Sequence, residues 1–301
     1  MPTLLQNIDE KNANEQAKLA ARSFYVSDPI LTRNWEHLPS SLSIQVTLAD
    51  KTEVIVQLRD NEIDLSKFVI ARNVLGQVVP QIQVTKDTDA YFAYVISLNY
   101  GLPWNPKQHT PVVAQEAHMA SQIARILAKS SLGIDSSGTI DHYIRPRLQQ
   151  IIVKECSSND ATHACIKSLY SKVDELKSLP LVISHGAIEA NDIIVNNSLD
   201  IVAVIGWERG GLLPFGIDAW SILSLCTNSG NEAGSIVAKA FWEGLTAGRS
   251  EDFRRAVVIA MQIGYLLIHA YPEGYSPTPD RLPKVIERLD WLKDTFEPLC
   301  A

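Results

Sequence analysis

Apolar positions in this chain alternate in short runs at the front and recur at helical spacing behind them. Residues 43–59 alternate apolar and polar side chains and break at Ala49-Asp50-Lys51, which predicts a β-hairpin. Residues 91–98 form a mostly apolar β-type run. Ahead of both, 10–25 places Ala17, Ala20, Ala21 and Phe24 at i, i+3, i+4 and i+7, the stripe of an amphipathic helix. From Pro111 onward the period is mostly helical, with helices expected over 111–127, 140–154, 162–177, 217–226, 233–246, 251–269 and 283–296. Two β segments interrupt them. Residues 179–195 read as strand, tight turn and strand; 201–207 is a further apolar strand, reached through Asn196-Asn197-Ser198. The pattern predicts an α+β chain, with an N-terminal helix and β-rich segments in front and mostly helices behind.

The turn within 179–195 reads Ser184-His185-Gly186-Ala187-Ile188-Glu189-Ala190-Asn191-Asp192, and the strand after it ends Ile205-Gly206-Trp207-Glu208. Gly210-Gly211 and Pro214-Phe215-Gly216-Ile217-Asp218-Ala219-Trp220 follow. Together these resemble the catalytic loop, metal-binding strand and Gly-Pro-rich turn of the aminoglycoside-phosphotransferase-like enzymes, with fungal members nearest. The resemblance covers most of the chain, but its motifs are specific only between Leu179 and Trp220. It implies a two-lobed protein-kinase-like fold, with an N-terminal helix and β-rich small lobe over 1–105, a mostly helical large lobe over 106–301, and a hinge near Tyr100 and Trp104.

The departures from that family carry the functional reading. Where the family loop runs His-Gly-Asp, four residues, Asn, this chain has Ala187 and Asp192; where the metal strand carries Asp, it has Gly206. Residues 38–43 hold no glycine to bring backbone N–H groups onto phosphates. Gln57 stands at the family's nucleotide-contacting basic position, with Arg59 two residues on and on the same strand face. Phosphoryl transfer rests on positioning and on magnesium neutralising the phosphate oxygens, so these losses imply a retained fold, lost chemistry, no metal and no cofactor.

What remains at the motifs supplies the candidates. His185 either props the loop, the usual role of its counterpart in the family, or donates to a ligand. Glu208 and Arg209 either pair or contact a ligand, and Asp192 is either solvated or touches substrate. Asp218 is expected to support the loop or cap a helix. Tyr100, Trp104 and Trp207 either line a cleft for an apolar guest or pack in the core. The expected catalytic set is therefore His185, Arg209 and Glu208, and the expected substrate contacts are Tyr100, Trp104, Trp207 and Asp192.

Composition narrows the partners. The 301 residues are 46% hydrophobic and 20% charged, enough to build a core that divides into two lobes. A formal net charge of −7, with basic runs no longer than pairs, argues against nucleic acid. The four cysteines lack metal-ligand spacing and read as free thiols of a reducing compartment. Residues 1–21 are polar and acidic, unlike a signal peptide, and the apolar stretch 256–270 is too short to span a bilayer, so a cytoplasmic protein without membrane insertion is expected. Two functions follow. One is a cofactor-free enzyme that folds an apolar natural-product intermediate and promotes a cyclisation such as an intramolecular Diels–Alder reaction. The other is a pseudokinase that binds a small ligand or a protein partner without turnover. Residual small-molecule kinase activity, which needs Asp192 and Glu208 to rebuild a metal site, ranks third.

Overall fold

The computed structural model describes residues 8–38, 41–85, 91–98, 101–104, 112–155, 160–225, 232–271 and 281–301. They form two compact units, one of Met1–Pro103 with Ile194–Glu208 and the other of Trp104–Ile193 with Arg209–Ala301.

The first unit is built on an antiparallel sheet in the order β1-β2-β3-β5-β4, from β1 (Pro29–Leu38), β2 (Ser41–Leu48), β3 (Glu53–Arg59), β4 (Ile82–Thr85) and β5 (Phe92–Leu98). The predicted hairpin is β2–β3. Lys51 takes φ +71° at its turn, and Asp50 Oδ1 accepts from the Thr52 amide at 2.9 Å. Helix α1 (Glu10–Arg22) starts at Asp9, whose carboxylate accepts from Asn12 N at 2.8 Å. Its alanine face packs on Leu42, Ile44, Val46, Val54 and Val56 of the sheet. Small side chains let the helix lie close to the strands. The face is Ala13, Ala17, Ala20 and Ala21; Phe24, expected on it, lies beyond the helix end and is exposed.

Residues 194–208, expected in the large lobe, pack instead with the first unit. Strand β9 (Ile193–Val195) lies between β6 (Leu102–Pro103) and β10 (Ile201–Val204), and Ile194 and Ala203 join Ile55, Ile96 and Leu98 in one apolar cluster. The β9–β10 turn is the predicted one: Asn196 Oδ1 accepts from Ser198 N and Asp200 N, each at 2.9 Å.

The second unit carries a three-stranded sheet in the order β11-β8-β7, from β7 (Ser131–Asp135), β8 (Pro180–Ser184) and β11 (Gly211–Pro214). The two strands read in 179–195 therefore belong to different sheets. Helices follow the predicted pattern, with α3 (Val113–Lys129) against α7 (Glu232–Thr246), and α8 (Glu251–Gly264) in the core beside α9 (Leu282–Phe296). Helix α8 continues as a π-helical turn, Tyr265–Ala270. The continuous 20-residue helix is long and apolar enough to cross a membrane by length and composition, and 72% of its apolar window is buried within the protein, as in a core helix. Cys165 and Cys300 are free thiols; Cys156 and Cys226 lie outside the described residues.

Candidate functional site

In the second unit β8 ends at Ser184, and the chain turns through His185 and Gly186 onto Asp218. Asp218 is buried and collects three donors: Ser184 Oγ at 2.7 Å, His185 N at 2.6 Å and Gly186 N at 3.2 Å. It stands at the N-cap position of the 3-10 turn Ala219–Ser221, but its side chain makes no capping hydrogen bond and is used to support the loop. Burial pushes the Asp218 carboxyl above its usual range, against these donors and the nearby His185 ring, which favour the anion. His185 itself is fully buried. Gly186 has φ +91°, and a Cβ there would stand 2.6 Å from the Arg209 carbonyl oxygen, so turn and Arg209 backbone are in direct contact.

Arg209 completes this arrangement. Its Nη2 donates to the Ala187 carbonyl at 3.2 Å and to Asp192 Oδ2 at 3.3 Å. Asp192 Oδ2 also accepts from the Glu189 amide at 2.9 Å. The Asp192 side chain is 16% exposed and that of Arg209 48%. The predicted pairing of Arg209 with Glu208 is replaced by one with Asp192.

Glu208, in the first unit, has a different partner. Arg59 Nη1 lies 3.2 Å from Glu208 Oε1, and Lys67 Nζ donates to the Glu208 carbonyl at 3.2 Å. Arg59 also reaches Gln57 Oε1 at 3.4 Å, so both small-lobe residues singled out in the sequence meet. Lys67 was missed because its helix α2 (Ser66–Leu75) buries only Phe68 and Ala71, too thin a stripe to show as periodicity. Beside Glu208, Gly206 sits at φ +88°, a left-handed conformation that glycine tolerates and side chains resist. Gly206→Asp, which places a side chain at this left-handed position, should therefore lower unfolding free energy by about 1–2 kcal/mol in urea titration.

The aromatic candidates are core residues where they are described. Trp104 is 2% exposed, with its amide on the Ile193 carbonyl at 2.7 Å; Trp207 is equally buried, its indole N–H on the Val204 carbonyl at 2.8 Å. Tyr100 lies outside the described residues. One aromatic grouping escaped the sequence reading: His269, on the π-helical turn, stacks against Trp220 at 5.1 Å and Tyr265 at 5.2 Å between ring centroids. Desolvation there holds the imidazole below its usual range, against the nearby Glu189 carboxylate.

A magnesium nucleotide is poorly matched by these residues. Ala187 offers only a methyl group, Asp192 already serves Arg209, and Glu208 already serves Arg59. Among the described residues no three His, Cys, Asp or Glu side chains gather as a metal set.

Comparison with solved structures places the architecture. A macrolide 2'-phosphotransferase from Brachybacterium faecium aligns with a TM-score of 0.55 at 14% identity, over 96% of this chain and 98% of that one. A choline/ethanolamine kinase family protein from Mesorhizobium loti aligns with a TM-score of 0.58 at 13% identity, over 95% and 94%. The ADP-bound aminoglycoside phosphotransferase APH(2'')-Ib gives 0.51 at 16% identity, over 96% and 99%. The chain has the phosphotransferase and choline-kinase fold. No protein-family model and no curated protein matches it. At such identities the likeness speaks for the fold alone, and the site must be argued from its own residues.

Proposed function

We propose that this protein is a non-phosphorylating member of the phosphotransferase fold, which binds a small organic ligand or a protein partner without nucleotide or metal. The observation that carries the reading is the engagement of its two remaining motif carboxylates: Asp192 is held by Arg209 and Glu208 by Arg59. Each already has an arginine partner within the protein, so a divalent cation would compete with that arginine as well as shed water. The missing loop glycines, Gln57, Ala187 and Gly206 support the same reading from sequence. Residual kinase activity would require both ion pairs to open.

Calorimetric titration of the full chain with magnesium and ATP at millimolar concentration is the test. No saturable heat and no shift of the melting temperature are expected; metal-dependent saturation would overturn the proposal.

A second reading, a cofactor-free enzyme that cyclises an apolar natural-product intermediate, is favoured by one feature. The Arg209 guanidinium is half-exposed and anchored, as a donor to a developing carbonyl charge must be. In this reading Arg209 is the catalytic donor, and His185, being buried, positions the turn. Mass spectrometry of candidate intermediates with chelator present tests it, with turnover expected in wild type and reduced in Arg209→Ala. A strict need for ATP or magnesium would remove it.

A further inference from the structure

Arg209 has more donors than partners. A guanidinium carries five N–H groups, and both hydrogens of Nη2 are taken by the Ala187 carbonyl and Asp192 Oδ2. Among the described residues nothing accepts from Nε or from Nη1, and the side chain is 48% exposed. Asp192 is itself fixed, since the oxygen that holds Arg209 also accepts from the Glu189 amide. The backbone is fixed as well, because the Arg209 carbonyl lies against Gly186 too closely for a Cβ between them. A free arginine loses much of its rotamer entropy when it binds a ligand. Here both ends of the side chain are already held, so less remains to be lost.

We infer that Arg209 is an oxyanion-binding site, with Asp192 as its positioning residue, and that the ligand presents a carboxylate or phosphate oxygen to Nη1 and Nε. Asp192 offsets part of the guanidinium's charge, so a singly charged oxyanion is better matched than a polyphosphate. The inference deepens the non-phosphorylating reading, on which it rests only in that no metal competes for Asp192.

The test is titration of the full ¹⁵N-labelled chain with acetate and, separately, with inorganic phosphate. It follows the Arg209 Nε–H signal, assigned by its loss in Arg209→Lys, and the amides of Gly186, Ala187 and Ile188. Saturable shifts in the millimolar range are expected. They should vanish in Arg209→Ala, or in Arg209→Gln should the alanine variant not fold. Preference for acetate assigns a carboxylate ligand, and preference for phosphate a phosphate monoester. Asp192→Asn separates positioning from charge. It removes a negative charge, so a purely Coulombic site would bind either anion more tightly, whereas a positioned guanidinium should bind it about threefold or more weakly. Absence of saturation with both anions, unchanged shifts in both Arg209→Ala and Arg209→Gln, or tighter binding in Asp192→Asn would overturn the inference. None of these outcomes bears on magnesium-ATP binding, whose own titration decides the underlying reading.

Discussion

Asp218→Ala is expected to destabilise the protein by about 3 kcal/mol or more, a large part of the 5–15 kcal/mol that holds a typical domain together. The substitution strands Ser184 Oγ and the His185 amide without their acceptor, while the Gly186 amide keeps Ser184 Oγ at 3.1 Å. Each buried donor left unmet costs about 1–3 kcal/mol. Against this stands relief of a buried carboxyl whose ionised form is disfavoured. The hydrogen bonds win because the acid is replaced by nothing that accepts. Ser184→Ala, which removes one donor and leaves Asp218 its two amides, should cost only about 1 kcal/mol.

The same carboxyl fixes a pH dependence. Burial holds its folded-state pKa above the ordinary 3.8, so the folded state binds the proton more tightly than the unfolded chain. Its contribution to stability is full below the unfolded value and falls as pH rises through the folded one. The stability gap between wild type and Asp218→Ala should therefore narrow from acid to neutral pH in urea titrations. A gap that widens instead would mean that the three donors, rather than burial, set the carboxyl's ionisation.

Much of this arrangement was legible in sequence because it is local. The hairpin at Ala49-Asp50-Lys51, the turn at Asn196 and the helices of the second unit are all written within a dozen residues of themselves, in alternation, turn chemistry and period. Asp218 was legible only as one of two alternatives, loop support or a helix cap, because the donors it holds lie 32 to 34 positions upstream. What was not legible depends on partners far along the chain. Arg59 meets Glu208 across 149 positions, and Lys67 meets it across 141. Glu208 and Arg209 are adjacent, yet they turn to different partners in different units, which no spacing rule reveals. The aromatic candidates illustrate the other limit. A tryptophan beside a motif reads equally as a ligand wall or as core, and only burial separates Trp104 and Trp207 from the surface. The assignment of 194–208 to the first unit likewise depends on which strand β9 pairs with, a choice that apolar runs alone leave open.

Among the described glycines whose added Cβ meets a neighbour, Gly264 meets the nearest one, and Gly264→Ala is expected to be strongly destabilising. In the middle of a helix the change from glycine to alanine ordinarily gains about 1 kcal/mol of propensity. At the end of α8 the new Cβ would stand 1.9 Å from the Ile217 carbonyl oxygen, 2.8 Å from its carbon and 3.1 Å from Trp220 Cδ1. The first two are backbone atoms, so no rotamer change relieves them; helix and loop must separate. Overpacking of this kind costs about 1–3 kcal/mol where side chains can yield, and more where backbone must move, so the clash outweighs the propensity gain severalfold. Loss of 3 kcal/mol or more, or failure to accumulate folded protein, is expected, on the order of the largest single-substitution effects. Gly211→Ala, where nothing lies within 4 Å of the added Cβ, is the control and should leave stability nearly unchanged. The consequence reaches the site as well, because the displaced segment carries Asp218, one residue beyond Ile217. Forcing it off α8 draws the carboxylate away from Ser184, His185 and Gly186, so the double variant Gly264→Ala, Asp218→Ala should lose less than the sum of its parts. If denaturant titration shows the two losses to add fully, helix α8 does not support the Asp218 turn, and the turn must hold its shape by its own hydrogen bonds.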